Sequence, residues 1–154
     1  MKATSGQEVL QLVTFKLGDE EYAIDILKVQ EINRMVSITT VPNADRSLEG
    51  VINLRGRVIP VTNLRKKFGL DSKELDGHSR IMVVDVGTTI GLIVDSVSEV
   101  LRLPSDTVEP PPHIAGNGST DYVMGIGKLE DRLLILLDIE KLMGKGKEAD
   151  DLEK

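Results

Sequence analysis

His78 and His113 are the only histidines among the 154 residues, and no cysteine is present. A serine nucleophile needs a histidine within reach and an elbow-like setting. His78 lies in Asp76-Gly77-His78-Ser79 and His113 follows three prolines, so both read as solvated loop histidines and no catalytic residue is expected. Without thiolates, two isolated histidines make no closed zinc site, and no carboxylate spacing supplies the missing ligands, so no metal is expected either. Gly116-Asn117-Gly118 lacks the Lys and helix that follow a phosphate-cradling loop, and Gly125-Ile126-Gly127 is a fragment of a dinucleotide fingerprint. The chain is therefore expected to use no cofactor and to perform no covalent step.

Two charged positions remain, Glu31 and Arg55. A solvated surface charge contributes little by itself. Arg55 gains weight from a repeat. Gly50 to Gly69 reads GVINLRGRVIPVTNLRKKFG, and Gly125 to Gly144 reads GIGKLEDRLLILLDIEKLMG, in register without a gap. Gly50 meets Gly125, Leu54 meets Leu129, Arg57 meets Arg132, Lys66 meets Lys141 and Gly69 meets Gly144. Apolar residues coincide at Val51/Ile126, Val58/Leu133, Ile59/Leu134, Val61/Leu136, Leu64/Ile139 and Phe68/Met143. Two copies of one supersecondary unit imply two similar subdomains. The tips differ: Asn53-Leu54-Arg55-Gly56 in the first copy, Lys128-Leu129-Glu130-Asp131 in the second. Shared residues should serve the fold, and unshared ones are the better site candidates.

The elements that must hold these positions are short strands. Arg55-Gly56-Arg57 between two β-branched runs signals a hairpin with an exposed tip. Val9 to Leu17 alternates, with Val13, Phe15 and Leu17 on one face and Thr14 and Lys16 on the other, and Tyr22 to Asp25 returns after a turn. Asp25 can cap a short helical turn in which Ile26, Val29 and Ile32 share a face and Glu31 points away; a strand reading of the same residues also stands. Asn63 to Phe68 reads as one or two helical turns with Asn63 as cap and Gly69 as terminator. Ile81 to Val86 and Ile90 to Val94 repeat the first hairpin, and Val97-Ser98-Glu99-Val100 answers Val29-Gln30-Glu31-Ile32 at an offset of 68. The connection from Pro104 to Tyr122 is longer and reads as a surface loop.

Short strands with glycine at the turns point to small barrels or sandwiches, and closing a barrel removes exposed edges. The expected fold is all-β, two five-stranded barrels packed together. The loop Asp71 to Arg80 is the expected boundary, giving subdomain 1 over about 19–80 and subdomain 2 over about 81–144. Residues 1–8 and 145–154 read as flexible tails.

The net charge of −6 and the presence of only two Phe, two Tyr and no Trp argue against nucleic-acid binding, which draws on clustered cations and stacking aromatics. No signal-peptide core or run of about eighteen apolar residues occurs, so the protein is expected to remain in the cytoplasm.

The run Leu17 to Ile32, LGDEEYAIDILKVQEI, then Gly50-Val51-Ile52-Asn53-Leu54-Arg55-Gly56 and Asp131 to Leu136, resembles the CheW family of bacterial chemotaxis coupling proteins. The similarity extends from about Val9 to Gly144, one CheW-like domain. It implies two intertwined five-stranded SH3-like barrels, with the N-terminal strand 9–18 as the exchanged piece. It also implies a non-enzymatic adaptor joining the cytoplasmic signalling tips of chemoreceptors to the regulatory domain of the histidine kinase CheA. Such an adaptor is monomeric in isolation, forms rings within receptor arrays and does not insert into the membrane. The family's partner-contact residues fall on Val29, Glu31, Gly50, Leu54, Arg55 and Gly56, with Glu31 near Arg55. Asn63 stands where many relatives have Asp, which touches a cap. The alternatives are an adaptor for an output other than motility and, from another class, a small-barrel nucleic-acid binder.

Overall fold

A computed structural model describes residues 8–111 and 122–143. β1 (Val9–Leu17) and β2 (Glu20–Asp25) form the first hairpin, and a 3-10 turn at Ile26–Lys28 leads into β3 (Val29–Arg34). β4 (Leu48–Leu54), β5 (Arg57–Asn63) and the short helix α1 (Leu64–Lys67) follow, then β6 (Arg80–Asp85) and β7 (Thr89–Val94). β8 (Ser96–Pro104), a 3-10 turn, the two-residue β9 (Val108–Glu109), β10 (Val123–Leu129), β11 (Arg132–Leu137) and α2 (Ile139–Leu142) complete the order. The all-β expectation holds: the strands make two sheets, ordered β8-β1-β2-β11-β10-β9 and β3-β6-β7-β5-β4. The first has six strands where five were expected; β9 is the addition. Among the described residues no helix is long and apolar enough to cross a membrane.

The repeat seen in the sequence reappears in hydrogen-bond register. Leu54 pairs with Arg57 and Leu129 with Arg132, so both hairpins turn over two residues, and each ladder shifts at its glycine, Gly50 or Gly125. β5 pairs in parallel with β7, Val61 beside Gly91, and β11 pairs in parallel with β2, Leu136 beside Ala23. The offsets of 75 and 68 thus hold together within one pairing.

That pairing also shows how the halves interweave. Among the described residues, unit 1 gathers those up to Thr14, Glu20–Ile26 and those from Glu99 onward; unit 2 comprises Phe15–Asp19 and Leu27–Ser98. The anticipated boundary near residue 80 therefore falls inside unit 2, because β6 and β7 complete the sheet of β4 and β5. Nor is the exchanged piece the strand 9–18 alone. β2 joins unit 1 as well, and the chain leaves unit 2 only within β8. The reason is the parallel pairing, which seats each opening hairpin beside the later hairpin of the other half.

Each unit has an aliphatic core, as the scarcity of aromatics requires. Ile52, Leu54, Ile59, Val61, Ile81, Val83 and Ile93 cluster in unit 2, and Leu12, Ala23, Leu103, Leu134 and Leu136 in unit 1. Thr14, placed on the solvent face by alternation, is fully buried. Its hydroxyl donates to the Glu99 carbonyl and accepts from the Glu99 amide, both at 3.2 Å, which removes the cost of burying it. The helical spacing of Ile26, Val29 and Ile32 was misleading: Val29 and Ile32 belong to β3, where alternation half-buries Val29, Glu31 and Asn33 and exposes Ile32.

Asn63 caps α1 as expected, its Oδ1 accepting from the amides of Arg65 at 2.9 Å and Lys66 at 3.4 Å, and Gly69 ends it at φ +75°. Asp138 does the same for α2, accepting from Glu140 and Lys141. Asn63 does more than an Asp could, because its Nδ2 donates to Glu49 Oε2 at 3.1 Å while Glu49 also holds Lys66 at 2.7 Å. Asn63→Ala is expected to cost about 1–2 kcal/mol, read as a fall in melting temperature of about 2–8 °C. Asn63→Asp should recover the cap but leave a carboxylate facing Glu49, so it should fall between the two.

Candidate functional site

Every residue of Asn53-Leu54-Arg55-Gly56 has a distinct physical task. Arg55 and Gly56 both take positive φ, +50° and +84°, the twist that a two-residue hairpin of this kind demands. Gly56 adopts it at little cost. Asn53 Oδ1 accepts the Gly56 amide at 2.9 Å and pins the tip, while Leu54 turns inward to the unit 2 core. Arg55, a non-glycine residue in the left-handed region, costs on the order of 1 kcal/mol, which its own contacts must offset.

The principal contact is an ion pair. Arg55 Nη2 donates to Glu31 Oε2, and Asn33 Nδ2 donates to Glu31 Oε1 at 3.0 Å. β3 and β4 are the outermost strands of the five-stranded sheet, so this pair links one edge to the hairpin that forms the other. The backbone does likewise nearby: the Thr39 amide donates to the Val51 carbonyl at 2.9 Å and the Val51 amide to the Thr39 carbonyl at 2.8 Å, and Met35 and Ile38 pack on the core. The sheet thereby curls toward closure. Hydrogen bonding from Arg55 foremost, then from Asn33, holds the Glu31 carboxyl below its ordinary value. Arg55 keeps 70% of its side-chain surface exposed and Glu31 26%, leaving donors of the guanidinium free for another molecule.

The structure separates the six candidate residues. Glu31, Arg55 and Gly56 come together at the exposed tip. Val29 lies half-buried on β3, two residues from Glu31. Gly50 and Leu54 are buried. Gly50 sits at φ +152°, and a Cβ there would lie 2.1 Å from the Thr39 carbonyl oxygen, so it provides the close approach that closes the sheet. Gly50 and Leu54 therefore hold the site from within.

Unit 1 carries an altered counterpart that residue-by-residue reading missed. Glu99, in the place of Glu31, meets Arg132 at 2.9 Å, and Arg132 also makes a two-point contact with Glu21 at 2.8 and 3.2 Å. The hydrogen bonds that Arg132 donates, to Glu21 foremost and then to Glu99, raise the pKa of its guanidinium above the ordinary value. Glu130 occupies the Arg55 position with a similar φ of +56°. The charge at this tip is reversed and its arginine is engaged within the unit. The offset of 68 pointed to Glu99; nothing in the sequence pointed to Asn33 or Glu21. His78 lies in an exposed loop, its amide donating to Asp76, and His113 lies outside the described residues.

A family model described as a CheW-like domain matches residues 11–147. The chain is 43% identical over 141 residues to the chemotaxis protein CheW of Klebsiella aerogenes, covering 91% of this chain and 83% of that protein. It is 38% identical over 146 residues to the CheW of Helicobacter pylori, covering 94% and 87%. Among solved structures, the scaffolding protein TtCheW of Thermoanaerobacter tengcongensis superimposes with a TM-score of 0.80 at 39% identity, over 88% of this chain and 92% of that one. With its duplicated hairpins, two β-sheet units and matches along nearly its whole length, the chain belongs to the CheW-like family of chemotaxis proteins.

Proposed function

We propose that this chain is a non-enzymatic adaptor that couples chemoreceptor signalling tips to the regulatory domain of the kinase CheA in chemotaxis arrays. The observation that carries the site is the Glu31–Arg55 pair, held at a turn whose backbone is strained to present it. A guanidinium with free donors beside a carboxylate suits a partner surface carrying both signs of charge, and such pairs set specificity and association rate more than raw affinity. A receptor helix would lay its apolar side in a groove, and a kinase barrel would dock end to end. Each interface should be modest, at or below about 1,600 Å², with strength supplied by many tethered contacts. The protein acts in the cytoplasm, monomeric when isolated and ring-forming within the array.

Pull-down with a receptor signalling fragment and the kinase regulatory domain, separately and then together, tests the reading. A bridge binds each alone and both at once; capture of only one would demote it to an accessory. A gel shift at low salt should show no nucleic-acid binding, and a shift there would favour the rival class.

A further inference from the structure

Arg65, on α1, draws three separate loops of unit 2 to one point. Its Nε and Nη2 donate to Asp95 Oδ1 at 2.9 Å and Oδ2 at 2.7 Å, and its Nη1 donates to the Asp71 carbonyl at 2.7 Å. Asp95 occupies the corner between β7 and β8. Its Oδ2 also accepts the amide of Gly18 in the β1–β2 turn at 2.8 Å, and its own amide donates to the Lys16 carbonyl at 3.1 Å. The side chains are 15% and 17% exposed, so both charges are largely withdrawn from water and depend on each other. Hydrogen bonding from Arg65, foremost, keeps the Asp95 carboxyl below its ordinary value.

The repeat argues that this pair is no inherited scaffold feature. At an offset of 75 Arg65 corresponds to Glu140, and at an offset of 68 Asp95 corresponds to Leu27, so neither corresponding position carries the charge that makes the pair. The pair occurs where the chain first passes into unit 2, at Phe15–Asp19. It is also remote from Arg55. β5 runs from the tip to α1 over seven residues, about 20 Å.

We infer that the Arg65–Asp95 pair is a conformational clasp that makes the β1–β2 turn, the β7–β8 corner and the chain leaving α1 open and close as one cooperative element. A planar fork satisfied by one carboxylate and one carbonyl leaves few partial solutions: once Arg65 departs, Asp95 loses its counter-charge and the Gly18 amide its anchor. Regions of a fold open locally in such contiguous units.

Native-state hydrogen exchange on the full chain tests this, comparing wild type with Asp95→Asn and, as a milder change, Arg65→Lys. The Gly18, Asp95 and Leu70 amides, each in a hydrogen bond at one of the three loops, are expected to exchange about tenfold faster or more in Asp95→Asn, by a common factor, and less so in Arg65→Lys. The Thr39 and Gly56 amides near the tip should keep their rates. Acceleration at one loop alone would overturn the clasp, as would equal acceleration of every amide, which would mark the pair as global stabilisation only.

Discussion

Reversing a single charge at the tip, by Arg55→Glu or Glu31→Arg, is expected to weaken adaptor complexes by about tenfold or more in the pull-down, while the double exchange recovers part of the loss. Each single change places like charges where an ion pair stood and presents the wrong sign to a partner. The double variant restores the internal pair and leaves only the external mismatch. Absence of any recovery would mean that the two residues do not act as a pair. Thermal stability should change little, because Arg55 is mostly in water and exposed pairs contribute little to folding. The pH dependence has a definite sign. Glu31 is depressed in the folded state, chiefly by Arg55, so the pair is fully formed above the ordinary carboxylate range. Binding should therefore stay level from neutral pH down to about 5 and fail only as pH drops through the lowered value.

Gly50→Ala is expected to be the most damaging small substitution in unit 2. The added methyl would lie 2.1 Å from Thr39 O, 2.7 Å from Thr39 C and 2.8 Å from Ile38 Cγ2, and two of these atoms are backbone that cannot swing away. Relief requires breaking the Thr39–Val51 bridge, and the residue would also be strained at φ +152°. Together these should cost about 3 kcal/mol or more, a loss of about 6–12 °C in melting temperature. Gly56→Ala is the control: nothing lies within 4 Å of its Cβ position, so only the strain of φ +84° remains, about 1 kcal/mol. If the two variants melted alike, Gly50 would not be closing the sheet. A Gly50 variant with normal melting but lost partner binding would instead make it a direct contact.

The repeat, the hairpin tips, the caps at Asn63 and the opposed charges at Glu31 and Arg55 were all legible in the chain itself. Each depends on neighbours within a few residues, or on two segments resembling each other, and local backbone preference and side-chain periodicity carry that information. The division into units was not legible. Which hairpin pairs with which depends on the parallel ladders β5·β7 and β11·β2, whose partners are far apart in the chain, and a repeat is equally compatible with exchanged and unexchanged halves.

The same limit applied to individual side chains. Thr14 alternates as a solvent residue and is buried because the Glu99 backbone supplies both its hydrogen bonds. The sequence gives no sign that Thr39 lies against Gly50, and Asn33, Asp95 and Glu21 carry no local signal of their partners. The sequence by itself determined the class of fold, the duplicated hairpins and Arg55, the charge that distinguishes one copy from the other. Only the tertiary structure decided which of those residues face solvent and which hold the scaffold, because burial and hydrogen-bond satisfaction are properties of packed neighbours, and several of those neighbours, Glu99 beside Thr14 and Arg132 beside Glu21 among them, come from the other half of the chain.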